Sequence, residues 1–174
     1  MEELKYPIGK FKMPSSYDKD FQMEAIRILS ELPSQLREVL KGVQENQLIG
    51  RYRPDGWNIK QVVHHLADSH LNCLIRVKLA LTEDHPTIKP YDENSWANLA
   101  DATSNNIEPS LLIIEGVHSR LVTLLKSIST EDWERKVHHP ESNRDMSVNF
   151  LVGLYSWHSR HHLGHIKNAL ANPF

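Results

Sequence analysis

No stretch of this 174-residue sequence approaches the run of about 18 or more apolar residues that a bilayer-spanning helix requires, which excludes a helical membrane anchor. The opening residues Met1-Glu-Glu-Leu-Lys-Tyr6 contain no apolar segment of the secretory type, so the expectation is a soluble, cytoplasmic protein. Cysteine is nearly absent. Cys73 stands alone, which rules out an internal disulfide and any zinc site built on paired cysteines, and it reads as a small buried apolar residue. Excess charge is absent too: the net charge is -2 and 24% of residues are charged, so no basic surface for nucleic-acid phosphates is expected. A Gly-rich phosphate loop, a Gly-x-Ser-x-Gly elbow and a His-Glu-x-x-His sequence are all missing, which removes the usual support for nucleotide binding, serine hydrolysis and zincin-type proteolysis.

The length fits one domain over 1–174, divided into an extended arm over 1–14 and a helical bundle over 15–174. Pro7, Gly9 and Pro14 without an apolar period predict that the arm is not helical. Apolar residues then recur at three and four from Tyr17 to about Ile49, the period of an amphipathic helix that Pro33 should kink or split. Turn chemistry at Pro54-Asp55-Gly56 and a capping box from Asn58 to Gln61 start a second helix near Trp57, running to about Leu81. Residues 83–106 form a long crossover, with a helical turn or two around Ser95 to Leu99. A third helix begins at Pro109, Val137 to Met146 is a candidate hairpin, and Ser147 caps a fourth helix that carries a cluster of histidines. Four amphipathic helices, each with an apolar stripe to bury, predict an all-α four-helix bundle with one long crossover loop.

Histidine is what the sequence has in abundance. Of eleven, three fall within 64–70 and four within 158–165. In the last helix the pairs 158/162 and 161/165 have the spacing of four that stacks side chains on one face. His158 falls in the middle of the apolar face with Leu151, Leu154 and Tyr155, flanked by His162 and His165, and His161 lies nearer its edge. Inward imidazoles at this spacing can converge on one transition metal, since neutral imidazole ligates zinc, nickel, copper and iron. In the second helix, periodicity favours His70 as the inward residue and leaves His64 and His65 on opposite flanks, so spacing alone does not choose a third ligand. Glu115-x-x-His118 is a single motif where a ferritin-like di-iron centre needs two, and His118 reads as a hydrogen-bonded core histidine or an outer partner of a site. Asn72 and Arg76, one turn apart, are candidate anchors for an anionic substrate, or else part of a solvated face.

Gly56-Trp57, Gln61-Val-Val-His-His-Leu-Ala-Asp-Ser-His70, Thr82-Glu83-Asp84, Pro90-Tyr91-Asp92 and Leu154-Tyr-Ser-Trp-His-Ser-Arg-His-His-Leu-Gly-His165, together with Tyr6-Pro7-Ile8-Gly9, resemble the DinB/YfiT-like family. The likeness is to its YfiT-type branch of metal-dependent hydrolases related to bacillithiol transferases, and it covers nearly the whole chain. It implies a four-helix bundle and a homodimer. The family's Trp-then-His-Leu motif falls on His65 before Leu66, and its closing His-x-x-x-His on His158 and His162. The resemblance therefore implies these three as ligands of one divalent transition metal, zinc or nickel first. His165 stands where many members have glutamine, and it is a candidate proton carrier, a fourth ligand or a hydrogen-bonded neighbour.

Three imidazoles leave a coordination position open, as catalytic rather than structural zinc does. The expected function is a hydrolase in which the metal activates water for attack on a small electrophilic molecule. One alternative is a thiol S-transferase using a low-molecular-weight thiol of the bacillithiol kind, which requires the same ligands. The other is a non-catalytic metal-binding bundle, whose site would be closed.

Overall fold

Residues 2–174 are described in this computed structural model. The arm departs from its expected extended form at Glu2–Lys5, which make one helical turn (α1) with acidic residues first and Lys5 last, the order that suits a helix dipole. Residue 1 of the expected arm lies outside the described residues. Beyond Tyr6 the chain runs without regular structure, turning at Gly9 with φ +77°.

Asp18 accepts a hydrogen bond from the Phe21 amide and starts α2 (Lys19–Leu40), which ends well before the expected Ile49 because Gly42, at φ +75°, turns the chain away. Pro33 does not split α2, which runs through it as one helix. Leu29, Leu32 and Leu36 are buried on both sides of the proline and hold the helix to its neighbours. The Leu29 carbonyl, whose usual partner would be the missing amide of residue 33, is met from another helix by His118 Nδ1 at 2.6 Å.

The Asn58–Gln61 capping box forms as expected and opens α3 (Ile59–Thr82). Within residues 83–107 there is one further helical turn, α4 (Glu93–Trp96). Helix α5 (Glu108–Ser127) has Pro109 in its first turn. The expected hairpin is β1 (Lys136–His139) paired antiparallel with β2 (Arg144–Ser147), Val137 opposite Met146, and Ser147 caps α6 (Val148–Ala171).

Helix α2 packs on α5 and α6, and α3 packs on the same two. The ring order is therefore α2, α5, α3, α6, with consecutive α2 and α3 on a diagonal. Residues 83–107, the long segment expected to cross over, join neighbours; the diagonals are crossed by residues 41–58 and 128–147. Two apolar clusters fill the bundle. One centres on Leu29, Cys73, Val77, Leu121 and Leu151, the other on Leu32, Leu36, Val62, Leu66, Ile114 and Ile166. The layer between them, along α3, α5 and α6, is made of histidines. Among the described residues no helix is long and apolar enough to cross a membrane.

Candidate metal centre

Because α3 and α6 are neighbours in the ring, His65 meets the 158/162 pair from the facing helix. The Nε2 atoms of His65 and His158 lie 3.2 Å apart. One ligand nitrogen from each of His65, His158 and His162 falls within 4.8 Å of the other two. All three side chains are largely withdrawn from water, and burial, followed by the charge neighbouring imidazoles would carry, keeps them from protonating. His65 is pulled down to about 4, and His158 and His162 well below the ordinary histidine range. Three imidazoles held neutral by burial thus converge on one point.

A cleft of about 320 Å³ leads to this point, and it contains all three histidines in its lining. Trp57 is held against His65, ring centres 4.7 Å apart. Its position depends on the turn before it: Asp55 adopts φ +57°, and a Cβ on Gly56 would come within 2.8 Å of Arg53 Cγ and 3.1 Å of the Tyr52 ring. Lys5 and Tyr6 of the N-terminal arm line the cleft together with Arg53, Asp55 and, from the long 83–107 segment, Glu93. Buried, neutral, nitrogen-only and reached by an open cleft, the donor set fits a borderline divalent ion such as zinc or nickel.

Residues 28–166 match the DinB superfamily. The chain belongs to that superfamily. Among its relatives, "Putative metal-dependent hydrolase YfiT" of Bacillus subtilis is 40% identical over 163 residues, covering 94% of this chain and 92% of the relative. A protein of Oceanobacillus iheyensis, also named a "Putative metal-dependent hydrolase", is 45% identical over 162 residues, with 93% of each covered. The solved structure of Bacillus subtilis YfiT, described as "a probable metal-dependent hydrolase with an unusual four-helix bundle topology", superposes with a TM-score of 0.91 over 94% of both chains.

In this DinB-superfamily chain the other histidines sort by what they face. His70, which periodicity favours, is fully buried but points at His158 Nδ1 rather than into the cleft, 3.1 Å away through its own Nε2. His64 turns the other way, to Ser110 Oγ at 2.7 Å and the Ser104 carbonyl at 3.1 Å. His165 stacks on Tyr52 with ring centres 3.7 Å apart, and lies 3.3 Å from His162, Nδ1 to Nδ1. His161, expected nearer the edge, is buried: its ring stacks on Trp157 at 4.4 Å, lies 6.0 Å from Tyr6, and leaves Nδ1 without a partner. His161, His162 and His165 form a second group close enough to share an ion, but His165 Nε2 is spent on the Lys5 carbonyl at 3.1 Å.

Arg76 does reach the neighbourhood, donating to the Tyr155 hydroxyl at 3.2 Å and lining a smaller cleft that touches His158 from the other side. Asn72 does not: its amide is bound to the Asp68 carbonyl of its own helix. Glu115 points away from the centre and pairs with Arg37 at 2.6 Å. Sequence reasoning missed Lys5, Tyr6, Tyr52, Arg53 and Trp157 as cleft residues. Gly56-Trp57 and Tyr6-Pro7 were present as motifs, but spacing says nothing about where an irregular arm or turn will lie.

Gly164 shows how the arm is seated, since a Cβ there would approach Pro7 Cγ to 2.9 Å. Gly164→Ala is expected to loosen residues 5–9, seen as faster amide exchange or new proteolysis in the arm, while the helical circular dichroism and melting of the bundle stay nearly unchanged. Unaltered protection of the arm would show that it yields without detaching.

Proposed function

We propose that this chain is a metal-dependent hydrolase of small polar molecules, with His65, His158 and His162 holding one divalent transition metal. The observation that carries the reading is the convergence of three neutral imidazoles at the inner end of an open cleft. A closed site would have favoured a purely structural ion. When bound, such an ion supplies Lewis-acid chemistry, polarising a substrate and making water nucleophilic near neutral pH.

The protein's own groups do the rest. Trp57 and Trp157 give the cleft aromatic walls that limit water and orient a planar or apolar part of the substrate. Lys5 and Arg53, together with Asp55 and Glu93, give the cleft lining charges of both signs, which suits a substrate with separated polar ends rather than a simple anion. His161, stacked on Trp157, is assigned to the aromatic wall of the cleft. His165 is assigned to holding His162 rather than to carrying protons, because both its nitrogens already face partners. Arg76 lines the second, smaller cleft, and a role in meeting a negative group is assigned to it only there.

The same three ligands would serve a thiol S-transferase, so the test includes a thiol. Zinc- and nickel-loaded protein is incubated with activated esters and epoxides, with and without bacillithiol, and products are followed by mass spectrometry. Turnover with water alone is the expected result. Turnover only with thiol would replace hydrolysis by transfer, and no turnover in any combination would favour the non-catalytic bundle.

A further inference from the structure

We propose that His118 and His70 are positioning residues: they form a one-way hydrogen-bonded chain, started at Pro33, that holds His158 with hydrogen on Nδ1 and its Nε2 lone pair turned toward His65. The proposal rests on the reading of His158 as a ligand. Its direction follows from the first link. Proline has no amide hydrogen, so the Leu29 carbonyl is left without its helical partner. His118 Nδ1 lies 2.6 Å from that oxygen. A carbonyl only accepts, so this nitrogen carries the hydrogen.

A neutral imidazole has one donor and one acceptor nitrogen, and every later link is then determined. His118 Nε2 accepts, from His70 Nδ1 at 2.8 Å. His70 Nε2 in turn accepts, from His158 Nδ1 at 3.1 Å. What remains on His158 is an Nε2 lone pair, 3.2 Å from His65 Nε2. The chain passes through α2, α5, α3 and α6 in turn, and His118 and His70 are 1% and 0% exposed, so water does not compete for any inner link. The other ligand of α6 is treated alike on a shorter path: His165 Nε2 donates to the Lys5 carbonyl, which leaves His165 Nδ1 to accept from His162 Nδ1. Outer partners that orient ligating histidines in this way are a general feature of metal sites.

The test begins with metal-free protein. Two-bond ¹H–¹⁵N correlation of labelled histidines at pH 7.5 is expected to show His118, His70 and His158 each with protonated Nδ1 and bare Nε2. Protonation of His158 or His70 at Nε2 overturns the proposal. Zinc affinity is then measured by chelator competition. His118→Phe, which keeps a ring in the core but ends the chain, is expected to weaken binding by roughly 10–100-fold and to mix the His158 tautomers. Pro33→Ala adds an amide donor to the Leu29 carbonyl, whose second lone pair can still accept from His118, so zinc affinity is expected to fall less than in His118→Phe. Wild-type affinity in His118→Phe overturns the proposal. If His118→Phe does not fold, the wild-type spectrum still decides. Wild-type protein that shows the three tautomers but binds no zinc would defeat the metal reading and leave the chain standing.

Discussion

His65→Ala and His158→Ala proteins, purified without a metal-affinity step, are expected to contain almost no zinc or nickel by elemental analysis, while wild-type protein contains close to one ion per chain. With three imidazoles and a water or substrate position, deleting one ligand leaves two, and the loss should exceed the roughly 10–100-fold that removing an outer partner costs. His85→Asn is the matched control. His85 is exposed, pairs with Asp145 and sits at φ +47°, a conformation asparagine tolerates, so metal content should not change. His70→Ala separates the two readings of α3. It should weaken binding without abolishing it, because His70 touches His158 and not the cleft. Equal metal in His65→Ala and His85→Asn would remove His65 from the site.

Metal-free protein is expected to lose stability steeply as pH falls from about 6.5 toward 4. Burial holds His65 and His118 down to about 4 in the folded state, and His70, His158 and His162 well below their ordinary value. In the unfolded chain each would titrate near 6.5. Below that pH the unfolded state binds protons that the folded state refuses, so stability is fully present above the unfolded value and declines as pH drops through the window. Each such histidine contributes a slope of up to about 1.4 kcal/mol per pH unit. Several acting together rival the roughly 5–15 kcal/mol that a whole domain possesses. Urea midpoints measured every half unit from pH 7.5 to 4 should fall sharply below 6.5. A flat profile would show that these histidines are not buried neutral. Metal-loaded protein should resist further into acid and release its ion inside the same window, because protons and metal compete for the same lone pairs.

Much of the bundle was legible in the order of residues. The Asn58–Gln61 box, Ser147 and the Val137–Met146 hairpin are local devices whose energetics involve only near neighbours, and each lies where its chemistry puts it. Failures came where distant parts of the chain intervene. Glu2–Lys5 is helical despite the prolines that follow it, α2 stops at Leu40, and Pro33 interrupts nothing because packing and a histidine from α5 make good what proline removes.

The histidine layer divides the same way. That His158 and His162 share a face follows from 3.6 residues per turn, a property of one helix. On α3, helical angle alone points to His70, and it does so correctly as regards burial: His70 is the most buried histidine of that helix. Helical angle cannot say which of two inward histidines meets which neighbour. The ring order decides that, setting α3 between α5 and α6, so that His70 is taken up by His118 and His158 while His65, a turn and a half earlier, reaches the cleft. The sequence by itself determined the histidine pairs, the helices that carry them and the apolar stripes that must be buried. Only the tertiary structure decided which imidazoles converge, which ones hold the others in place and that an irregular arm lines the cleft, because those depend on packing between segments far apart in the chain.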